Sequence, residues 1–142
     1  MKSHVYTVKP LDSIQHARDI MEDRRVNQLP VVVDRRLVGI VTDRNLRDAF
    51  PSVFENPPFG KSRKRPHPGM SPDQITVEMV MTPHVLTLGP KDTVTDAARL
   101  MRRERIGAIP IVDGSHLVGI LARSDVLDAF VALVESGTAG SP

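Results

Sequence analysis

The sequence predicts an α/β (α+β) fold built as a pseudo-twofold pair of β-α-β-β-α units, two small sheets flanked by helices. Three observations predict it. The tetrapeptide Leu-Val-Gly-Ile occurs at 37–40 and again at 117–120, an offset of 80 residues. At that offset residues 4–50 align with 84–130 without a gap, and 17 of the 47 positions are identical, where unrelated sequence of ordinary composition would match at roughly 3. Each copy also passes in the same order between period-2 and helical apolar patterns. The identities include Pro10/Pro90, Asp12/Asp92, Ala17/Ala97, Met21/Met101 and Pro30/Pro110, which are core and turn positions. Two copies are too few for a solenoid, so each unit is expected to cover the apolar face of the other.

The elements follow in order. VYTV (5–8) and VLTL (85–88) alternate as short strands and end at Pro10 and Pro90, residues that break a ladder. A helix opens next. In the second copy Thr93 and Asp96 have the spacing of a capping box, and in the first Asp12 or Ser13 takes the cap position. Ile14, Ala17, Ile20 and Met21, with Val94, Ala97, Ala98 and Met101, recur at helical spacing and mark a buried stripe. LPVVV and IPIVD read as buried strands, each joined to its Leu-Val-Gly-Ile strand by a tight turn at Asp34-Arg35 or Asp113-Gly114. The last helix is expected over 43–50 in the first copy and 124–134 in the second.

Pro, Gly and bases dominate residues 51–74, which read as an exposed connector. ITVEMVMT (75–82) reads as a lead-in to the second copy. The first copy has none, because Met1 aligns with Met81. The expected organisation is therefore a first repeat over 1–50, a connector over 51–74, a second repeat over 75–134 and a flexible tail over 135–142.

Composition excludes several functions. Of the 142 residues, 40% are hydrophobic and 25% charged, as in ordinary globular chains, and no apolar run approaches the ~20 residues of a membrane span. The N-terminus lacks the pattern of a secretory signal, which points to the cytoplasm. Without cysteine there is no disulfide, thiolate metal site or thiol nucleophile. His4, His16, His67, His84 and His116 have no metal-ligand spacing. No serine sits in a nucleophile elbow and no Gly-rich phosphate loop is present, so the chain is expected not to be an enzyme. The net charge of +2 comes from Lys61, Arg63, Lys64 and Arg65 of the connector, too few for an evident nucleic-acid surface.

Two copies of strand, helix, LPVV or IPIV, turn, LVGI and a polar tail such as GIVTDRNL resemble a tandem pair of cystathionine-beta-synthase (CBS) domains, a Bateman module. The resemblance spans nearly the whole chain and is similar to the bacterial stand-alone pairs of the acetoin-utilisation type. It implies clefts between the repeats that take AMP, ADP, ATP or S-adenosylmethionine as regulatory ligand, and frequent homodimers. It also implies a polar signature after the Gly: two apolar residues, Thr or Ser, two variable residues, and Asp, with the hydroxyl toward phosphate or ribose and the carboxylate on the ribose diol. Each copy holds half of it. The first has Thr42 but Asn45 in place of the acid, and the second has Asp125 but Ala122 in place of the hydroxyl.

Carried over by the resemblance, one cleft would use Asp125, Ser124 and Arg123 with Thr7, Val8, Val26, Asn27 and Gln28. A second, weaker one would use Thr42, Arg44 and Asn45 with Thr87, Ile106, Gly107 and Ala108. A carboxylate can accept both ribose hydroxyls through charge-assisted bonds worth about 1.5–3 kcal/mol each, which favours the first. The same tails also fit plain helix capping, and Gly39 and Gly119 fit close backbone approach. Other readings stay open beside a ligand-binding module: a ligand-free dimerisation scaffold, with an effector protein as further partner, or weak nucleic-acid contact through the connector.

Overall fold

The computed structural model of the chain describes residues 5–49 and 71–140, without the side chains of 138–140. Its elements are α1 (Ile14–Arg24), β1 (Gln28–Val33), β2 (Arg36–Thr42), α2 (Asp43–Ala49), α3 (Val77–Val80), α4 (Val94–Glu104), β3 (Ala108–Asp113), β4 (His116–Ala122) and α5 (Arg123–Gly140). Small helix-flanked antiparallel ladders are formed, as the periodicities predict. The expected ends of the first copy's last helix at Phe50, the connector bases and most of the connector lie outside the described residues.

The helix starts are chemical. Ser13 Oγ accepts from the His16 amide at 3.0 Å, and Thr93 Oγ1 from the Asp96 amide at 3.1 Å. Asp96 also accepts from the Thr93 amide at 3.1 Å, completing the predicted box. That backbone bond, helped by the Thr93 side chain, holds the Asp96 carboxyl below its ordinary value. A carboxyl lowered in the folded state stabilises above its unfolded value and loses that contribution as pH falls through the folded one. The Asp96→Asn variant should therefore lose less stability than the parent between roughly pH 5 and pH 2. Melting temperatures across that window check it, and parallel curves would refute it.

Both helices end on a left-handed arginine, Arg25 (φ 55°) and Arg105 (φ 56°), whose amides return to Met21 and Met101 carbonyls. A non-glycine residue here costs roughly 1–2 kcal/mol, yet the chain turns sharply in both copies and drops directly into β1 and β3.

The hairpins share one register at the 80-residue offset. Val31 pairs with Gly39 and Ile111 with Gly119, each followed by a bulge. In the first, Val33 pairs with Arg36 across Asp34 (φ 48°) and Arg35 (φ 68°), a two-residue turn with both φ positive that matches strand twist. In the second, Asp113 still pairs with His116, so the turn falls on Gly114 and Ser115 rather than on Asp113-Gly114. Gly114 takes a positive φ there, 65°, as Asp34 does at the equivalent place in the first hairpin, so both turns stand at the same offset.

The expected first strands shrink to single bridges. Val8 pairs in parallel with Val31, and Leu88 with Ile111. The Val8 amide donates to Pro30 O at 3.0 Å and its carbonyl accepts from Val32 at 2.9 Å, while Leu88 repeats this with Pro110 and Val112. Pro10 and Pro90 follow within two residues and leave no room for a longer ladder.

The described residues divide into two units, Tyr6–Val85 and one that comprises Val5 and the chain from Leu86 on. The first is centred on Val8, Ile14, Leu29, Val31, Val41 and Leu46, and the second on Ala97, Leu100, Met101 and Ile109. The segment read as lead-in to the second copy packs into the first unit. Ile75 and Val77 are wholly buried in its core. The Ile14 amide donates to Ile75 O at 2.9 Å, the Val77 amide to Asp12 O at 2.8 Å, and Thr82 and Ile40 exchange bonds of 2.8 and 3.0 Å. Residues 75–82 thereby pair backbone groups at the start of α1 and on β2, which buried chain requires.

Helix α5 also departs from expectation. It starts at Arg123 and runs to Gly140, past the predicted end at 134 into the predicted tail. Once nucleated, a helix extends at little cost per residue, and no proline interrupts it before Pro142.

Candidate functional site

Two structures with the same plan form where β2 meets α2 and where β4 meets α5. In the first unit Thr42 Oγ1 accepts from the Asn45 amide at 3.0 Å, and Asn45 Oδ1 accepts from the Thr42 amide at 2.9 Å. This is a reciprocal capping box with Asn in the third helical position. In the second unit only half of it is present: the Asp125 carboxylate accepts from the Ala122 amide at 2.7 Å, and Ala122 has no hydroxyl to return. All four bonds of Thr93/Asp96 and Thr42/Asn45 follow the same spacing. The signal for the second box, Thr-x-x-Asn before a helix, was therefore present in the sequence.

This geometry decides what each side chain can offer. Asn45 has its single oxygen on the Thr42 amide, which leaves a ligand one lone pair and the amide donors, an uncharged and smaller acceptor than a carboxylate. Asp125 keeps a carboxylate with two oxygens, one of them on the helix cap. Because it is half-buried at the first turn of α5, the carboxylate sits where free amides and the helix dipole favour negative charge.

The loop before each Leu-Pro or Ile-Pro strand is clamped to the same place. The Asp43 amide donates to Asn27 O at 2.9 Å, and the Arg123 amide to Gly107 O at 2.8 Å. Within the first unit, then, Asn27 and Gln28 lie beside Thr42, Arg44 and Asn45, with Val8 bonded across Pro30 to the same hairpin. Within the second, Ile106, Gly107 and Ala108 lie beside Arg123, Ser124 and Asp125. The Arg123 guanidinium passes over Gly107, where an added Cβ would come within 3.8 Å of Nη2. Thr7, Val26, Gln28, Thr87 and Ile106 are half-buried and Asn27, Arg44, Arg123 and Ser124 exposed. Each cleft set implied by the resemblance takes its members from both units.

Among the described residues, no group of three His, Asp or Glu could hold a metal ion, and no helix is long and apolar enough to cross a membrane. Gly39 shows a close approach in the form expected for it. A Cβ there would meet Met81 Sδ at 2.6 Å and Thr82 O at 2.9 Å.

The comparisons agree with this architecture. A Bacillus subtilis protein, CBS domain-containing protein YhcV, is 31% identical over 126 residues, 89% of this chain and 79% of its own length. An inosine-5'-monophosphate dehydrogenase of Korarchaeum cryptofilum is 34% identical over 86% of the chain, which spans only 21% of that enzyme. Among solved structures, a Vibrio cholerae chain named as an acetoin utilization protein (AcuB) superposes with a TM-score of 0.78 at 24% identity, over 100% of this chain and 94% of its own. CBSX2 in complex with AMP gives 0.72 at 27% identity, over 91% and 89%. The family model described as CBS domain matches twice, at residues 1–52 and 77–132. The duplicated hairpins, the capped helices and these matches together place the chain in the CBS domain family, as a tandem pair.

Proposed function

We propose that the chain is a non-enzymatic regulatory module that binds an adenosyl ligand, AMP, ADP, ATP or S-adenosylmethionine, and works in the cytoplasm as a homodimer. The observation that supports it most is the likeness, at 27% identity over nine-tenths of the chain, to a structure titled as an AMP complex. The preferred site takes Asp125, Ser124 and Arg123 from the second repeat and Thr7, Val8, Val26, Asn27 and Gln28 from the first. Asp125 accepts the ribose diol and Arg123 meets phosphate. The second set, Thr42, Arg44 and Asn45 with Thr87, Ile106, Gly107 and Ala108, is the weaker site, since Asn45 is uncharged and its one oxygen already accepts from the Thr42 amide, whereas Asp125 keeps a second carboxylate oxygen and its charge. Ligand at 100 times its dissociation constant stabilises the folded chain by about 2.7 kcal/mol, enough to bias association with an effector protein.

Calorimetry with the four ligands tests this. The Asp125→Asn variant keeps an acceptor for the Ala122 amide, so the cap survives while the charge goes. It should weaken binding by about 2 kcal/mol, roughly thirtyfold. Unchanged affinity would move the site away from Asp125, and no binding below millimolar would refute the reading.

One observation favours a ligand-free dimerisation scaffold instead: Thr42, Asn45 and Asp125 all serve helix caps. That reading predicts a dimer indifferent to all four ligands. The connector bases proposed for nucleic-acid contact lie outside the described residues.

A further inference from the structure

Two ion pairs of the first repeat have no counterpart in the second. Arg18 meets Glu22 at 2.9 Å along α1, and Arg47 meets Asp43 at 3.3 Å along α2. At the 80-residue offset those four positions hold Ala98, Arg102, Leu127 and Arg123. Each acid is replaced by an arginine, and each arginine by an apolar residue. Arg105, at the left-handed end of α4, is the one base kept, aligned with Arg25. Over these five positions the first repeat carries three arginines against two acids, a net of +1, and the second carries three arginines alone, +3.

The replacements fall on one cavity, inside the second unit. Between the end of α4 and the start of α5 lies a space of about 370 Å³, lined by Arg102, Arg105 and Arg123 and by Ala98, Met101, Val126 and Leu127. Met101 is buried and Val126 packs on the core, so apolar groups make the floor, while the three arginines are exposed at its edge. Among the described residues, none of the three guanidiniums has a carboxylate within ion-pair distance. A helix C-terminus favours a base in its last turn, but α1 carries Glu22 at the place of Arg102, so the fold does not require one there. Solvation accounts for an exposed arginine; it does not account for the loss of both partners of two pairs around one apolar hollow.

We infer that this cavity is a second ligand site, apart from the adenosyl sets, and that it takes a phosphomonoester on a small apolar body. Its volume is that of a small-molecule site. A phosphate carries up to two charges and three outer oxygens, which suits several guanidinium forks better than a single carboxylate does. The body is apolar because the floor offers no polar side chain, and ribose hydroxyls or an adenine edge buried there would stand without partners. Arg123 is shared with the preferred adenosyl set, whereas Arg102 and Arg105 belong to neither set, so the two readings can fail separately.

Calorimetry of the full chain at low salt with 1-naphthyl phosphate tests it. One molecule per chain should bind with a dissociation constant under about 1 mM that rises with salt, and inorganic phosphate and 1-naphthol should each bind at least about tenfold more weakly. Ala98→Arg/Arg102→Glu installs the pair of the first repeat, fills the cavity and should weaken the probe at least about tenfold. Arg105→Gly removes a guanidinium where glycine suits the left-handed backbone. It should weaken the probe about fivefold without lowering the melting temperature, and it decides the matter if circular dichroism finds the double variant unfolded. Asp125→Asn should leave the probe within about threefold of the parent. No binding below about 10 mM, or binding matched by inorganic phosphate or by 1-naphthol, overturns the site. A probe lost in Asp125→Asn and indifferent to the changes at 102 and 105 overturns it too and puts the phosphate with the adenosyl set. Failure of all four adenosyl ligands beside the expected behaviour of the probe sinks the adenosyl reading and sustains this one.

Discussion

Replacing Gly39 by alanine should destabilise the fold by about 1–3 kcal/mol, the usual cost of forcing a methyl into a filled space. Carbon atoms rest about 3.5–4.0 Å from their neighbours, and the new Cβ would stand 2.6 Å from Met81 Sδ and 2.9 Å from Thr82 O. The sulfur ends a flexible side chain and can move aside. The carbonyl cannot, because Thr82 O accepts from the Ile40 amide at 3.0 Å, so relief would break the bridge that ties 82 to β2. Met81→Ala added to Gly39→Ala should therefore recover part of the loss and not all of it. Gly107→Ala is the control. Its nearest heavy atom would be Arg123 Nη2 at 3.8 Å, ordinary contact, and the loss should stay under about 1 kcal/mol. Urea denaturation of the parent and the three variants reads all of this, and equal losses at 39 and 107 would refute the steric account.

What the sequence made legible is what local chemistry decides. The 80-residue repeat, the helix stripes apart from Val94, which is 45% exposed, Thr93 with Asp96, and the hairpin pairing of LPVVV with LVGI are found by pattern and cap signals. Three features depended on more than pattern. VYTV and VLTL alternate like strands, but the prolines behind them cut the ladder to one bridge each. Asp113-Gly114 is turn-like in composition, while the two-residue geometry places the turn on Gly114-Ser115. Thr42 and Asp125 were visible as candidate polar residues, yet only the hydrogen-bond partners reveal that Asn45 Oδ1 is already engaged.

Ile75→Ala should remove about 2–5 kcal/mol, the range for truncating a buried isoleucine, and the loss should appear in the first unit. Sequence order argues otherwise, since residue 75 opens the stretch that leads into the second copy. Packing decides it. Ile75 has no exposed surface and lies in one cluster with Val8, Ile14, Leu29 and Leu46, and its carbonyl takes the amide of Ile14 at the start of α1. Truncation leaves a cavity under that helix start and loosens the bond, so α1, β1 and β2 lose support together. Native-state hydrogen exchange at low denaturant separates the two expectations, because it resolves stability element by element. Amides of α1 and of the β1–β2 hairpin should lose protection in the variant, with those of α4 and the β3–β4 hairpin affected less. Loss confined to α4, β3 and β4 would return 75–82 to the second repeat, and would mean that the first copy closes its own core without borrowing the lead-in of its mate.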